Sequence, residues 1–381
     1  MNKGQWVLVI AAVLGVAAMV WMRSPNGTVI NESLPSADGE IVSSSTASHE
    51  LFLATRKDAY TAAIGFYNTE TQTTDAEADL VSPDPVVSIQ FDSITQQVVY
   101  ETGGREVIGD ACLNADGSCN RRLYLSDGPT SQPVVLFDTD SELNQWVLDA
   151  VDGVVLLTAF SKEEGETFKK IDLQNKSVVY SVPFVSLGTA GTFSLSADHQ
   201  SVYRTVTVET SGVTTIKVQT FNVATGEMRE KQIYQGKDQI EASWTPVSPD
   251  GKHLAIWVGL QGSEAAYLYD VASLSYRIVT PKARVRNYRI VWSGDSTSFV
   301  LLEDEASERI DAQTLASMIV DPSPTYIFDW NDSADRILAH IADGNSPTVI
   351  NLVDGTSYAL PVTLAGADHV LGTLFFPAIQ Q

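Results

Sequence analysis

Six times between Phe91 and Trp330 the chain repeats one phrase: an apolar run ending in an aromatic, a short polar turn carrying Asp, and a second apolar run. The copies read IQFDSITQQVVY, QWVLDAVDGVVLL, TFSLSADHQSVY, ASWTPVSPDGKHLAI, IVWSGDSTSFVLL and FDWNDSADRILA, with Phe91, Trp146, Phe193, Trp244, Trp292 and Trp330 in matching places. Their separations are 55, 47, 51, 48 and 38 residues. Four-stranded blades of β-propellers recur at roughly 40–50 residues, so the phrase predicts an all-β ring of blades.

The rest of each repeat agrees. A third apolar strand with its own turn follows each phrase, as in RRLYLSDG, FKKIDLQNKS, KVQTFNVATGE, AAYLYDVASL and TVINLVDGTS, and a short fourth strand comes after, as in VVLFD, VVYSVPF, YRIV and SYALPV. That gives four strands per blade and no long helical period. EASERIDAQTLASM after Glu303 has the residue preferences of a short helix, but its place in the repeat predicts a loop and a third strand. The first copy is incomplete: ELFLATR, AAIGFYNTET and ADLVS supply three strands before Phe91, and the last copy is followed by an orphan strand, DHVLGTLFF. Pairing the orphan with the incomplete copy closes the ring and hides both edges, which predicts a seven-bladed propeller; a six-bladed ring is the alternative, with the first three strands standing apart.

Three regions follow from composition. Residues 1–23 contain the uncharged apolar run Gln5–Met22, flanked by Lys3 and Arg23 and edged by Trp6 and Trp21. It has the length of one transmembrane helix, about 20 residues, and outruns the h-region of a cleaved signal peptide. The expectation is an uncleaved signal-anchor: a single-pass cell-membrane protein with a short N-terminus inside and everything after Arg23 on the extracytoplasmic, periplasmic side. Cleavage after Ala18 is the rival reading. Residues 24–48 are rich in Ser, hold three acids and no Lys or Arg, and read as a disordered tether spanning roughly 25–30 Å on average. Residues 49–381 are the propeller. Most of the net charge of −23 belongs to it, and a surface that acidic repels phosphate backbones, so nucleic acid is excluded as a partner.

VSPDGKHLAIWVGL at Val247–Leu260, with YLYDVAS at Tyr267–Ser273, resembles the WD-repeat-like propeller repeats of the TolB family. Weaker echoes in LSADHQSVY, WSGDSTSFVL and WNDSADRILA extend the resemblance to about half of the propeller. It implies periplasmic binding of protein or peptide at one end of the channel, and carries no catalytic residue across.

The residues that could do chemistry reduce to few. Ser248, Asp250 and Gly251, with Ser196, Asp198, Ser293, Asp295, Asn331 and Asp335 in the echoes, recur because Ser and Asp bond local backbone in tight turns and Gly supplies positive φ. The recurrent Trp and Phe residues are expected to pack between neighbouring sheets. The five histidines have no metal-ligand spacing and Gly-x-Ser-x-Gly is absent. Cys112 and Cys119 bracket a turn-forming Asp-Gly, which in an exported chain reads as a loop-stapling disulfide; calcium held by Asp110, Asn114, Asp116 and Asn120 is the competing use of that loop, which lacks an acidic ladder. No other cofactor is indicated. One cluster departs from the acidic background: Lys282, Arg284, Arg286 and Arg289 lie within eight residues of each other, between blades five and six. Arg suits bidentate contact with carboxylates, so these four are the candidate binding residues for an acidic peptide, against the plainer reading that they neutralise Glu303, Asp304, Glu305 and Glu308. The sequence thus predicts a membrane-anchored propeller that binds protein or peptide without catalysis. The competing reading is a propeller enzyme, a lyase, lactonase or glycan-active protein, with its site at the channel mouth.

Overall fold

A computed structural model of the chain describes residues 51–68, 71–103, 121–128, 130–138, 142–185, 188–191, 193–237, 247–260, 263–279, 289–302, 307–330, 335–341, 346–362 and 370–375. They form an all-β, seven-bladed propeller. Written from the inner strand outward, blade one is Val370–Phe375, Leu51–Arg56, Thr61–Asn68 and Thr73–Val81. Blade two is Val86–Asp92, Gln97–Thr102, Arg122–Ser126 and Val134–Phe137; blade three is Glu142–Asp149, Val154–Ser161, Gly165–Asp172 and Ser177–Phe184. In blade four an inner strand in two pieces, Thr189–Ala190 and Ser194–Leu195, precedes Ser201–Thr210, Val213–Asn222 and Met228–Gly236. Blade five shows His253–Leu260, Ser263–Asp270 and Tyr276–Val279, with a single bridge from Val247 to Leu254 on its inner side. Blade six is Arg289–Trp292, Ser298–Leu302, Glu308–Asp311 and Ser317–Ile319; blade seven is Pro324–Trp330, Arg336–Ile341, Thr348–Asn351 and Ser357–Ala359.

The orphan strand closes the ring as the sequence predicts. Val370–Phe375 pairs antiparallel with Leu51–Arg56, Leu51 opposite Phe375 and Leu53 opposite Thr373. The segment with helical preferences after Glu303 is a third strand, Glu308–Asp311. Among the described residues no helix is long and apolar enough to cross a membrane; Gln5–Met22 and the tether lie outside them.

The hydrophobic core is divided into seven wedges, one between each pair of neighbouring blades. Phe52, Phe66 and Phe91 fill the first, with Phe52 stacked on Phe91 at 4.8 Å between ring centres. Trp146 anchors the wedge between blades two and three, Phe193 that between three and four, Trp292 that between five and six, and Trp330 that between six and seven. Leu51, Leu53, Leu338 and Val349 fill the closing wedge between blades seven and one. Phe91, Trp146, Phe193, Trp292 and Trp330 are therefore mortar between sheets, the role their mass suits, and Trp244 lies outside the described residues. Gly372 marks where the inner strands crowd most closely: a Cβ there would sit 1.9 Å from the Ile89 carbonyl oxygen of blade two.

Candidate functional site

The two ends of the propeller are built on different principles. At one end lie the turns between first and second strands and between third and fourth strands, and these repeat. Ser196, Ser248 and Ser293 each donate to the Asp two residues on, at 2.6, 2.6 and 2.7 Å. Each then accepts from the backbone N–H five residues on, at 2.9, 2.9 and 3.1 Å. The outer turns use Asp172, Asn222, Asp270, Asp311 and Asn351 to accept backbone N–H groups in the same way. The recurrent Ser and Asp residues are turn formers, as their spacing predicts. Hydrogen bonds hold several of these carboxyls below the usual range: from Ser196 at Asp198, from backbone and side chain of Ser273 at Asp270, from Thr314 at Asp311, and from Thr356 at Asp354.

The other end carries the second-to-third-strand connections and the passages from blade to blade. Those segments differ from one another, and charged groups are buried beneath them. Between blades one and two, Asp84 is buried and accepts from Tyr124 Oη at 2.6 Å and from Arg122 Nη1 at 3.2 Å; Arg122 Nε also reaches Asp138 at 3.0 Å. Tyr124 stacks on Tyr100 at 5.3 Å. Burial, then the bond to Asp84, raises the Tyr124 phenol, and burial pushes Tyr100 up to about 12.

Between blades two and three, Glu101 is 2% exposed and fully engaged. Its Oε2 accepts from Trp146 Nε1 at 2.7 Å and Ser88 Oγ at 3.2 Å, and its Oε1 accepts from Arg121 Nε. Arg121 Nη1 continues to the Leu143 and Asn144 carbonyls, both at 2.9 Å. Between blades three and four, Arg204 is the largest fully buried side chain of the described residues. Its Nε donates to Gln219 Oε1 at 2.7 Å and its Nη2 to Glu166 Oε1 at 2.9 Å, while Phe184, Phe193 and Phe221 surround the guanidinium at 5.1, 5.9 and 5.5 Å. Burial draws this guanidinium below its ordinary value against the pull of Glu166.

Three successive wedges thus hold one cation–anion contact each; Glu166–Arg204 links blades three and four, while Glu101 and Arg121 both belong to blade two and reach blade three through Trp146 and the Leu143 and Asn144 carbonyls. A buried pair of this kind is costly to break and contributes specificity of fit more than net stability. The two members of each pair neutralise each other. Among the described residues no three His, Cys, Asp or Glu side chains gather to hold a metal ion.

The candidate residues read from the sequence fall differently. Lys282, Arg284 and Arg286 lie outside the described residues, as do Cys112, Cys119 and the calcium candidates Asp110, Asn114, Asp116 and Asn120. Arg289 opens the inner strand of blade six, its backbone opposite Leu302. Of the residues that sequence reasoning missed, Arg204 and Glu101 have one signal, a charge inside an apolar alternation, as in SVYRTVTV and VVYET; Glu166, Arg121 and Asp84 stand in polar or turn contexts and have none.

No protein-family model matches the chain, and no curated protein matches it. Solved structures do. An oligogalacturonate lyase in complex with manganese superposes with a TM-score of 0.54 at 16% identity, over 82% of this chain and 85% of the lyase. A protein of unknown function from Desulfotomaculum acetoxidans gives 0.52 at 12% identity, over 86% of this chain and 99% of that one. These likenesses show the fold alone. TolB from Acinetobacter baumannii superposes at 0.44 with 15% identity, over 85% and 81% of the two chains, too loosely to argue from. The TolB-like, WD-repeat-like resemblance stands at the level of fold, and the blades themselves carry it.

Proposed function

We propose that the chain is a membrane-tethered, extracytoplasmic propeller that binds a protein or peptide at the end bearing the blade-to-blade passages, and that it performs no chemistry there. The difference between the two ends supports this reading most. One end is closed by near-identical turns whose polar atoms are spent on their own backbone. The other varies from blade to blade on a rigid, ion-paired floor, the arrangement in which loops carry recognition. The tether joins the ring at Leu51, which lies opposite Phe375 at the end of the repeated turns, so the variable end is clear of both strand termini. Propeller enzymes share the fold, but Glu101, Asp84 and Arg204, the buried charges beneath the variable end, are each engaged by an opposite charge.

The test is site-specific crosslinking in native membranes. Photo-crosslinkers at Tyr60 and Lys162, on the variable end, should trap a common partner, and crosslinkers at Thr297 and Val353, in the repeated turns, should not. Replacing Arg284 and Arg286 by Glu should leave the fold intact, since exposed charge changes rarely exceed about 0.5 kcal/mol, while partner capture falls and its salt dependence weakens. Equal trapping from both ends, or turnover of a metabolite by the purified chain with no partner trapped, would overturn the reading.

A further inference from the structure

Four Asp-Gly pairs lie wholly among the described residues, at 127–128, 152–153, 250–251 and 354–355, each in a turn at the repeated end; the pairs at 38–39, 116–117 and 343–344 lie outside them. Glycine has no Cβ to shield its nitrogen, so in such a pair the main-chain nitrogen can reach the carboxyl carbon of the preceding Asp. Hydrogen bonds decide whether it does, since a carboxylate or an N–H that is already bonded must give that bond up first.

Two of the four pairs are guarded on both reacting groups. The Asp250 carboxylate accepts from Ser248 Oγ at 2.6 Å and from the Lys252 N–H at 3.0 Å, and the Gly251 N–H donates to the Ser248 carbonyl at 2.8 Å. Asp354 accepts from the Thr356 N–H at 2.9 Å and from its Oγ1 at 2.7 Å, and the Gly355 N–H donates to the Asn351 carbonyl at 3.0 Å. Asp127 is guarded once, by Gln97 Nε2 at 2.8 Å. The pair at 152–153 differs. Among the described residues nothing donates to the Asp152 carboxylate, and the Gly153 N–H donates to nothing. The bonds this pair does make use other atoms: the Asp152 N–H donates to Asp149 Oδ1 at 3.2 Å, and the Gly153 carbonyl accepts from the Leu173 N–H at 3.0 Å. Asp152 is exposed, and a Cβ added at Gly153 would meet nothing within 4 Å, whereas one at Gly251 would run into the Tyr203 ring.

We propose that Asp152–Gly153 is a site of spontaneous covalent modification, where the main chain rearranges through a succinimide to isoaspartate. The Gly153 nitrogen attacks Cγ of the neutral acid, the N–Cγ bond forms, and the amide proton and the Cγ hydroxyl leave together as water. Water then reopens the ring: attack at Cγ restores aspartate, and attack at the main-chain carbonyl leaves the chain running through the Asp152 side chain. No oxidant, reductant or other reactant enters. The product lengthens the turn by one carbon beside the Leu173–Gly153 bond, which ties the inner turn of blade three to its outer turn.

The experiment ages the purified full-length chain in detergent at physiological temperature and locates isoaspartate by peptide mapping and by methylation with an isoaspartyl methyltransferase. Asp152 should convert first and Asp127 after it, with Asp250 and Asp354 slower by about tenfold or more because both of their reacting groups are bonded. In guanidinium chloride, where the turns are gone, the four pairs should convert alike. Asp152→Glu keeps the charge but cannot close the five-membered ring, so it should remove the leading signal and leave the rest. Conversion at Asp250 or Asp354 as fast as at Asp152, no conversion at Asp152 in the folded chain, or the same ranking in denaturant as in the fold would each overturn the assignment.

Discussion

Arg204 sits where an arginine is most expensive, with its side chain fully buried and its Glu166 partner 17% exposed. Removing a buried cation from its pair leaves the acid to bear its own desolvation, a loss of about 3–5 kcal/mol when both are sealed. Glu166 retains some water, so Arg204→Ala should cost about 3 kcal/mol, read as a lower urea midpoint at unchanged slope. Pairing Arg204→Met with Glu166→Gln should recover part of that loss, because no unpaired charge remains. A second residue-scale outcome concerns acid. Asp198, Asp270, Asp311 and Asp354 all titrate below their ordinary range because turn hydrogen bonds favour the ionised form. A group depressed in the folded state contributes stability that is complete above its unfolded value, near 3.9, and fades as pH falls through the folded value. Thermal midpoints taken between pH 7 and pH 2 should therefore stay level in respect of these turns down to about pH 4 and then fall. Asp→Asn changes at the four positions should flatten that acid limb.

At the scale of elements, four neighbouring blades, three to six, are clamped by one repeated device. Tyr180 in the outer strand of blade three donates to the Val223 carbonyl in the outer turn of blade four at 2.9 Å. Lys231 of blade four reaches the Ala272 carbonyl of blade five at 2.8 Å, and Arg277 of blade five reaches the Ala312 and Gln313 carbonyls of blade six. Arg277→Ala should cost about 1 kcal/mol, since these bonds are charge-assisted but half in water. Hydrogen exchange should show the loss confined to blades five and six. The strands themselves were legible because each blade restates the same apolar alternation, and the anchors Phe91, Trp146, Trp292 and Trp330 pack where the repeat puts them. The order of blades and their closure followed from a strand count that left one strand over. The clamps and the buried pairs were not legible. Glu166 and Arg204 lie 38 residues apart, and only the facing of two blades makes them partners. The basic cluster at Lys282–Arg289 was legible as composition, and its role belongs to the crosslinking test rather than to the fold.

The whole ring depends on one strand contributed from far along the chain. Val370–Phe375 supplies the inner edge of blade one, and Leu371 enters the first wedge beside Phe52 and Phe91. Thr373 Oγ1 reaches back to the Phe328 carbonyl of blade seven at 3.3 Å, and Gly372 admits the Ile89 carbonyl of blade two where a Cβ has no room. The strand touches three blades, so its contribution exceeds that of an ordinary edge. Gly372→Ala should destabilise by about 1–3 kcal/mol through overpacking against a backbone that cannot retreat, visible as a lower thermal midpoint with intact β-sheet circular dichroism. Ending the chain after Val362 should be worse in kind. It leaves Leu51–Arg56 as an open edge, apolar from Leu51 to Ala54, at the centre of the ring, and such edges recruit other chains. The truncated protein should elute as oligomers in size-exclusion chromatography with light scattering, and its unfolding should lose the single sharp transition of the closed ring. A monomer with an unchanged midpoint would show instead that the seven wedges hold without closure, each blade pair stable through its own apolar cluster.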